Sequence, residues 1–302
     1  MLKYGKAVCY SGYREGQSPH KKIYPSYEEI LEDLRILEPY FDYIRLYDGS
    51  THAKTVLKVI QENNLQLKVM LGVEPGGEIS NPDCPWGGLH SEEEIAFNKV
   101  NNYRQLDDLA VLANRYKDIV LAVSVGNEST SDWHSNLMDP ETIATHVKYL
   151  KSKIDLPVTF CEGAYYWMKK DKSIAKEVDF ISIHSYPLWQ RVSLEKAVDM
   201  NIKDYKDTVM TYPDKQIIFT EFGWTTMSNE QMDSTQTNEE NQAKYLKKVE
   251  EWSNKNQVTM FVFEAFDEPW KGSTNPIEPE KHWGIFNVDR TPKKLFKNHP
   301  KK

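Results

Sequence analysis

Two glutamates end two of the apolar segments in this 302-residue chain, and each has a neighbour suited to a polar ligand. Glu128 follows Asn127, and Glu221 precedes Trp224 by three residues. Two carboxyl groups facing each other across a cleft can divide the roles of acid and nucleophile, because burial and mutual repulsion separate their pKa values. Glycoside hydrolysis uses such a pair, although a lone glutamate at a strand end is often only a salt-bridge residue.

Other catalytic chemistries find less support in the residues. The chain has no HExxH motif, no G-x-S-x-G elbow and no Walker loop, and its eight histidines are scattered. Cys9, Cys84 and Cys161 form no CxxC motif, so we expect free thiols. We therefore predict no metal site and no cofactor.

Strand-like and helix-like segments alternate along the chain, and they must position the two glutamates. Strict alternation predicts a parallel sheet, and eight strands is the number that closes into a barrel. We predict the α/β class, as a (β/α)₈ TIM barrel in a single domain over residues 1–302. An open doubly wound sheet is the alternative, disfavoured because no glycine-rich phosphate fingerprint follows the first strand. The predicted strands are Tyr4–Tyr10, Tyr43–Tyr47, Gln66–Val73, Ile119–Val125, Leu156–Phe160, Phe180–His184, Ile217–Thr220 and Thr259–Phe263.

Helix-start signals support this alternation. Ser26 is suited to cap a helix from Tyr27 to Pro39, and Asp139-Pro140 opens another helix by cap and N1 proline. The weakest prediction is a last helix over Pro292–Phe296.

Polar and aromatic residues follow several predicted strands, at the barrel end where reacting groups are found. The second strand ends in Tyr47-Asp48 and the sixth leads through His184 to Tyr186. We expect Glu128 and Glu221 to project toward each other over the mouth, and His184 to be a packing residue. Tryptophans near these ends offer flat surfaces for a sugar, in the order Trp224, Trp270, Trp189 and Trp283.

Six segments in order resemble glycoside hydrolase family 17, the family of β-1,3-glucanases, lichenase-type enzymes and related glucanosyltransferases. The resemblance runs from about Gly5 to Lys294, and its most specific part reads Phe-Val-Phe-Glu-Ala-Phe-Asp-Glu-Pro-Trp-Lys and ends at Lys271. Phe222 and Thr225 replace the serine and proline usual around the nucleophile of plant members. The chain looks more like bacterial and fungal members, and we identify it as bacterial-type. The other segments are 44–48, 69–73, 125–128, 220–224 and 282–286.

The resemblance implies roles that the residue pattern alone leaves open. It makes Glu128 the acid/base and Glu221 the nucleophile of a retaining enzyme. It also places Tyr47 near the nucleophile and Tyr186 in the cleft wall. Glu268 and Lys271 become a supporting charged pair.

The resulting functional expectation is hydrolysis of internal β-1,3-glucosidic bonds in a laminarin-type glucan. A glucanosyltransferase with the same pair is the first alternative. A non-catalytic glucan-binding barrel is the second, and it would be expected to have lost a carboxylate. The Glu74–His90 loop is the place where we expect a wall at one end of the cleft.

The bulk properties limit the partners. The formal net charge is −7 and basic residues form no long run, which disfavours nucleic acid as a partner. No apolar stretch is long enough for a membrane span. We expect a monomer that acts on a polysaccharide or oligosaccharide. We also expect a secreted, periplasmic or cell-surface location, with the export signal absent from this sequence.

Overall fold

The centre of the computed structural model, which describes residues 1–297 and 299–302, is a ring of eight parallel strands. The strands are β1 (Ala7–Cys9), β2 (Tyr43–Leu46), β3 (Lys68–Gly72), β4 (Val120–Asn127), β5 (Val158–Gly163), β6 (Ile181–Ser185), β7 (Ile217–Phe222) and β8 (Met260–Val262). Each strand pairs with the next, and β1 pairs with β8 through Ala7↔Phe261. The predicted barrel is confirmed, and closure rules out the open doubly wound sheet.

Helices connect successive strands and cover the outside of the ring. They are α1 (Tyr27–Leu37), α2 (Thr51–Glu62), α3 (Glu92–Arg115), α4 (Pro140–Lys151), α5 (Ala164–Lys169), α6 (Lys172–Glu177), α7 (Leu194–Thr211) and α8 (Glu239–Asn256). Two short helices, α5 and α6, fill the connection between β5 and β6.

The segment after β8 differs from the prediction. Pro292–Phe296 forms a bridge and a turn instead of a helix. Among the described residues beyond β8, the 3₁₀ turn Pro279–Lys281 is the only helical element. Pro292 pairs with Phe286 in an isolated bridge, which holds the chain extended. So short a segment gains too few helical hydrogen bonds to offset helix nucleation.

The helix starts follow their capping residues. The Ser26 hydroxyl accepts from Glu29 N at 3.2 Å, and the Glu29 carboxylate accepts from Ser26 N at 2.7 Å. These reciprocal bonds satisfy backbone donors that the first turn leaves free, so the predicted N-cap is confirmed. Pro140 is the first residue of α4, as predicted, and Asp139 occupies the N-cap position but its side chain makes no capping hydrogen bond.

The longest strand, β4, carries the chain directly to the site. The strand predicted to end at Val125 continues in the structure to Asn127, so Glu128 is the first residue beyond it. The cysteines Cys9, Cys84 and Cys161 are buried free thiols, as expected. None of the helices described is long and apolar enough to cross a membrane.

Candidate active site

Glu221 is the next-to-last residue of β7, and three donors hold its carboxylate. Arg45 Nη1 donates to Oε1 at 2.7 Å, and the Tyr47 hydroxyl donates to the same oxygen at 2.8 Å. The Tyr186 hydroxyl donates to Oε2 at 2.7 Å. The donors come from β2, from the residue that follows β2 and from the loop after β6, so both oxygens are fixed in direction. Such fixed orientation is what an attacking group needs.

Glu128 occupies an unusual backbone conformation at the end of β4. Its φ is +53°, in the left-handed region that non-glycine residues rarely adopt and that is enriched at functional sites. Its N–H donates to Cys161 O at 2.8 Å, and its own carbonyl accepts from Ser131 N at 3.1 Å. The side chain is 18% exposed, so a ligand in the cleft can reach it.

The two carboxylates are close together. Oxygens of Glu128 and Glu221 lie within 4.8 Å of one another. Retaining glycosidases hold their carboxyl groups roughly 5 to 5.5 Å apart, whereas inverting enzymes need about 6.5 to 9.5 Å to admit a water molecule. The spacing therefore suits direct attack by one carboxylate while the other transfers a proton.

The environment of Glu221 favours its ionised form. Burial acts to raise the pKa of this carboxyl. The charges of His184 and Arg45, together with the two tyrosine hydroxyls, outweigh burial, so the pKa of Glu221 is lowered. Arg45 is buried beside it, and burial would lower the pKa of the guanidinium. The acidic side chains around it, Cys161, Tyr47 and Glu221, outweigh burial, so the pKa of Arg45 is raised. The pair thus places a negative nucleophile on a fixed positive charge.

His184 lies between the two glutamates. Nδ1 is 2.7 Å from Glu128 Oε1 and 3.5 Å from Glu221 Oε2. Burial acts to lower the pKa of His184, but the charges of Glu221 and Glu128 raise it to about 10. The imidazole is therefore protonated, and Nδ1–H donates to Glu128. We predicted that His184 is a packing residue, and it is buried. The prediction did not include its contacts with the two glutamates.

Arg45 was not among the residues singled out from the sequence. A signal for it exists, because a charged residue in the short strand β2 shares a face with Tyr47, two positions further on. Its Nη2 also donates to Asn127 Oδ1 at 2.5 Å, and its guanidinium lies 4.4 Å from the centre of the Tyr47 ring. One buried cation thus orients Glu221, Tyr47 and Asn127 together.

Asn127 and Asp48 occupy different surroundings. The carbonyl oxygen of Asn127 is taken by Arg45, which leaves the NH₂ end of this amide for a ligand. Asp48 Oδ1 accepts from Ser50 N at 3.0 Å, which shapes the turn into α2. A role in binding stays a prediction for both residues.

The predicted contact between Glu268 and Lys271 is part of a larger buried group. Lys271 Nζ lies 2.6 Å from Glu268 Oε2 and 2.6 Å from Glu264 Oε2. Burial and the neighbouring charge of Glu268 raise the pKa of Glu264, while Lys271 holds the pKa of Glu268 below its usual value against the effect of burial. The two carboxyl groups thus differ in how strongly they hold a proton, although they share a single cation.

Sequence reasoning missed Glu280, a third carboxyl group that interacts with the charges of Glu128 and Glu221. Burial raises its pKa to about 7, Lys271 opposes this rise, and the charges of Glu221 and Glu128 add to it. The residue lies in the 3₁₀ turn beyond β8, 12 positions after Glu268, and no strand pattern marks that turn.

Two of the tryptophans chosen as stacking surfaces cannot serve in that way. Trp224 is fully buried, with its ring 5.1 Å from that of Tyr245 in α8 and its indole N–H donating to Gln236 O at 2.9 Å. Trp283 is also buried, and its ring meets that of Tyr186 edge-on at 5.3 Å. These predictions are wrong, because neither ring has a face free for a sugar. Trp283 instead supports Tyr186.

The other two tryptophans remain accessible. Trp189 is 40% exposed in the loop after β6. Trp270 is half-buried, with its indole N–H donating to Glu268 Oε1 at 3.1 Å and its ring edge-on to Tyr13 at 5.7 Å. Sugar stacking on either residue stays a prediction.

Glu128, His184 and Glu221 are also the one set of side chains, within the ranges that the structure describes, whose ligand atoms cluster tightly enough for a metal ion. The same side chains hydrogen-bond to one another, with His184 Nδ1 2.7 Å from Glu128 Oε1.

A closed (β/α)₈ barrel with a close carboxylate pair at the ends of β4 and β7 defines a barrel glycoside hydrolase. A profile of the family described as "BtgE/BtgC glycoside hydrolase domain" matches residues 7–284. The chain belongs to this family.

Two similar proteins with functional names share about a quarter of the aligned residues with this chain. A "Glucan 1,3-beta-glucosidase" of Arthroderma benhamiae is 26% identical over 194 residues, 59% of this chain and 61% of that protein. A "Probable glucan endo-1,3-beta-glucosidase btgC" of Aspergillus fumigatus is 24% identical over 296 residues, 89% of this chain but 39% of that protein. The chain thus spans only part of the length of these relatives.

A solved structure shares both the fold and some sequence. The crystal structure of an endo-laminarinase from Formosa Hel1_33_131 matches with a TM-score of 0.78 and 27% sequence identity, covering 94% of this chain and 83% of that one.

Proposed function

We propose that the protein is a retaining glycoside hydrolase of family 17 that cleaves internal β-1,3-glucosidic bonds in laminarin-type β-glucan. The observation that carries this proposal is the close spacing of Glu128 and Glu221, with Glu221 kept ionised by Arg45, Tyr47 and Tyr186. The choice of substrate is supported by the names of the similar glucan 1,3-β-glucosidases and of the endo-laminarinase. Membership of the bacterial type stays a prediction.

In the first step, a Glu221 oxygen forms a bond to the anomeric carbon while the bond to the leaving oxygen breaks. Glu128 gives a proton to that oxygen, so the leaving sugar departs neutral. His184 Nδ1 lies 2.7 Å from Glu128 Oε1, and this hydrogen bond orients the carboxyl group that transfers the proton. The product of this step is a glycosyl ester on Glu221.

In the second step, water attacks the same carbon and the ester bond to Glu221 breaks. Glu128 now accepts the proton of the water molecule, and the original configuration is restored. The donors on Glu221 stabilise the carboxylate as it leaves. If a second glucan took the place of water, the same residues would catalyse transfer.

The test is digestion of a laminari-oligosaccharide with product sizes and anomeric configuration resolved by chromatography and proton NMR. We expect shorter products with newly formed β-anomers. Glu221→Gln should lower the rate by at least about 10³-fold, while Glu141→Gln, at an exposed position in α4, should be unaffected. An initial α-product, or a Glu221→Gln variant with full activity, would refute the mechanism. Products longer than the substrate would identify a glucanosyltransferase.

We also propose that the protein acts outside the cytoplasm as a single chain, since a glucan polymer does not cross membranes. Detection of the protein in the cytoplasmic fraction only, or a dimer in size-exclusion chromatography with light scattering, would contradict these two proposals.

A further inference from the structure

Two exposed tryptophans, absent from the sequence-based candidates, meet at the barrel end that carries the catalytic pair. Trp86 is 66% exposed and Trp133 is 39% exposed, and their ring centroids are 6.3 Å apart at an interplanar angle of 64°. Trp86 lies in the loop after β3 and Trp133 in the loop after β4. Since β3 and β4 are neighbours in the barrel, both loops rise from the end that carries the catalytic pair. We call these two side chains the tryptophan shelf.

The loop that bears Trp133 is continuous with the acid/base. Ser131 N donates to Glu128 O at 3.1 Å, and His134 N donates to Ser131 O at 3.0 Å, so two consecutive turns lead from Glu128 to the shelf. Five residues span at most about 18 Å when fully extended, and these turns shorten the distance further. The His134 ring centroid lies 5.5 Å from that of Trp133, and the Glu128 charge opposes the lowering of the His134 pKa by burial.

The two loops are fastened to each other, so the shelf is preorganised. Buried Asn81 uses both amide hydrogens, donating to Asp132 O at 2.7 Å and to His134 O at 3.0 Å. The His90 ring bonds Ser135 O at 2.9 Å. These contacts on both sides of Trp133 hold its backbone in place. A ligand therefore meets rings that need little ordering on binding.

The chemistry of the surface selects a neutral sugar chain. Indole faces match the apolar face of a β-glucosyl ring while its hydroxyl groups stay in water. Contiguous exposed apolar surface often marks a site that binds a ligand. Trp133 follows Glu128 by five residues in the same loop, and this short connection indicates the same ligand for both places.

We propose that the tryptophan shelf is a distal subsite that stacks on glucosyl residues of the bound β-glucan, beyond the residues that contact Glu128 and Glu221. This proposal rests on the proposed function, because it takes the glucan as the ligand. It makes the shelf important for long chains and unimportant for short ones. It also predicts binding that hardly depends on salt, since the ligand is uncharged.

The experiment measures binding by calorimetry in the non-hydrolysing Glu221→Gln background, with laminari-oligosaccharides of increasing length and with laminarin. Trp133→Ala and Trp86→Ala are compared with Met210→Ala, which removes an exposed apolar side chain at the end of α7, on the opposite side of the barrel. We expect each tryptophan variant to weaken binding of the longest ligands by about tenfold and of the shortest by less than about twofold. The Met210 variant should bind all of them normally.

The outcomes separate the two proposals. Unchanged affinity of both tryptophan variants for long chains, or an equal loss at every length, would overturn the shelf alone. Failure of the folded Glu221→Gln protein to bind any β-1,3-glucan would overturn the shelf together with the proposed substrate. In the hydrolysing protein, we expect Trp133→Ala and Trp86→Ala to raise KM for long substrates and to leave kcat for the shortest substrate unchanged.

Discussion

Removing the Tyr186 hydroxyl tests how the structure sets the charge of the nucleophile. Tyr186 donates to Glu221 Oε2 at 2.7 Å, and its ring is held edge-on by Trp283 at 5.3 Å and by Phe263 at 6.0 Å. Tyr186→Phe keeps the packed ring and deletes one donor to the ionised carboxylate. The pKa of Glu221 must then rise, because the charged form loses more stabilisation than the neutral form.

The size of the shift follows from the kind of bond. A hydrogen bond to a charged group contributes about 1.5 to 3 kcal/mol, and about 1.4 kcal/mol corresponds to one pKa unit. We therefore expect the pKa of Glu221 to rise by about 1 to 2 units. Arg45 and Tyr47 still donate to Oε1, so the carboxylate stays in place.

The assay is the pH dependence of kcat/KM on a laminari-oligosaccharide from acidic to neutral pH. The acid limb reports the free-enzyme group that must be ionised, so it should move to higher pH in Tyr186→Phe. Tyr149→Phe is the matched control, because it also deletes a hydroxyl bonded to a carboxylate, that of Asp107 at 2.9 Å, but on the outer helices. If the acid limb of Tyr186→Phe coincides with that of the control, the assignment of Glu221 as the ionised nucleophile is wrong.

Three further predictions concern stability. Burial and the charge of Glu128 raise the pKa of Glu162 from 4.5 to about 8. The contribution of Glu162 to stability is therefore complete below pH 4.5 and is lost as the pH rises through 8. Glu162→Gln should flatten this decline when the free energy of unfolding is measured with urea at several pH values. Lys271→Met removes the cation shared by two buried carboxyl groups and should cost about 3 to 5 kcal/mol in the same assay, and an unchanged midpoint would contradict the buried group. Gly223→Ala should be destabilised by at least about 1 to 3 kcal/mol in thermal unfolding, since its Cβ would lie 2.2 Å from a backbone oxygen, whereas Gly49→Ala meets open space and should unfold normally.

The architecture was readable from the sequence because its signals are local. Alternating apolar segments and caps such as Ser26 depend on neighbours within a few positions, and the barrel end that carries the site follows from chain direction. That is why Glu128 and Glu221 could be named before their distance was known. The helix predicted at Pro292–Phe296 failed because Pro292 pairs with Phe286, which is itself bridged to Phe266, and these tertiary bridges compete with so short a segment.

Side-chain direction beyond the strand ends was decided only by tertiary packing. Trp224 and Trp86 are both loop tryptophans in the sequence, yet one is enclosed by α8 and the other faces solvent. Likewise, nothing local to His184 indicates that it meets Arg45 at Glu221, although the two residues come from β6 and β2. Residue types and local periodicity therefore determined the barrel and its two glutamates. The charge of the nucleophile and the surface available to a sugar depend on contacts between residues distant in sequence, which exist only once the barrel has closed.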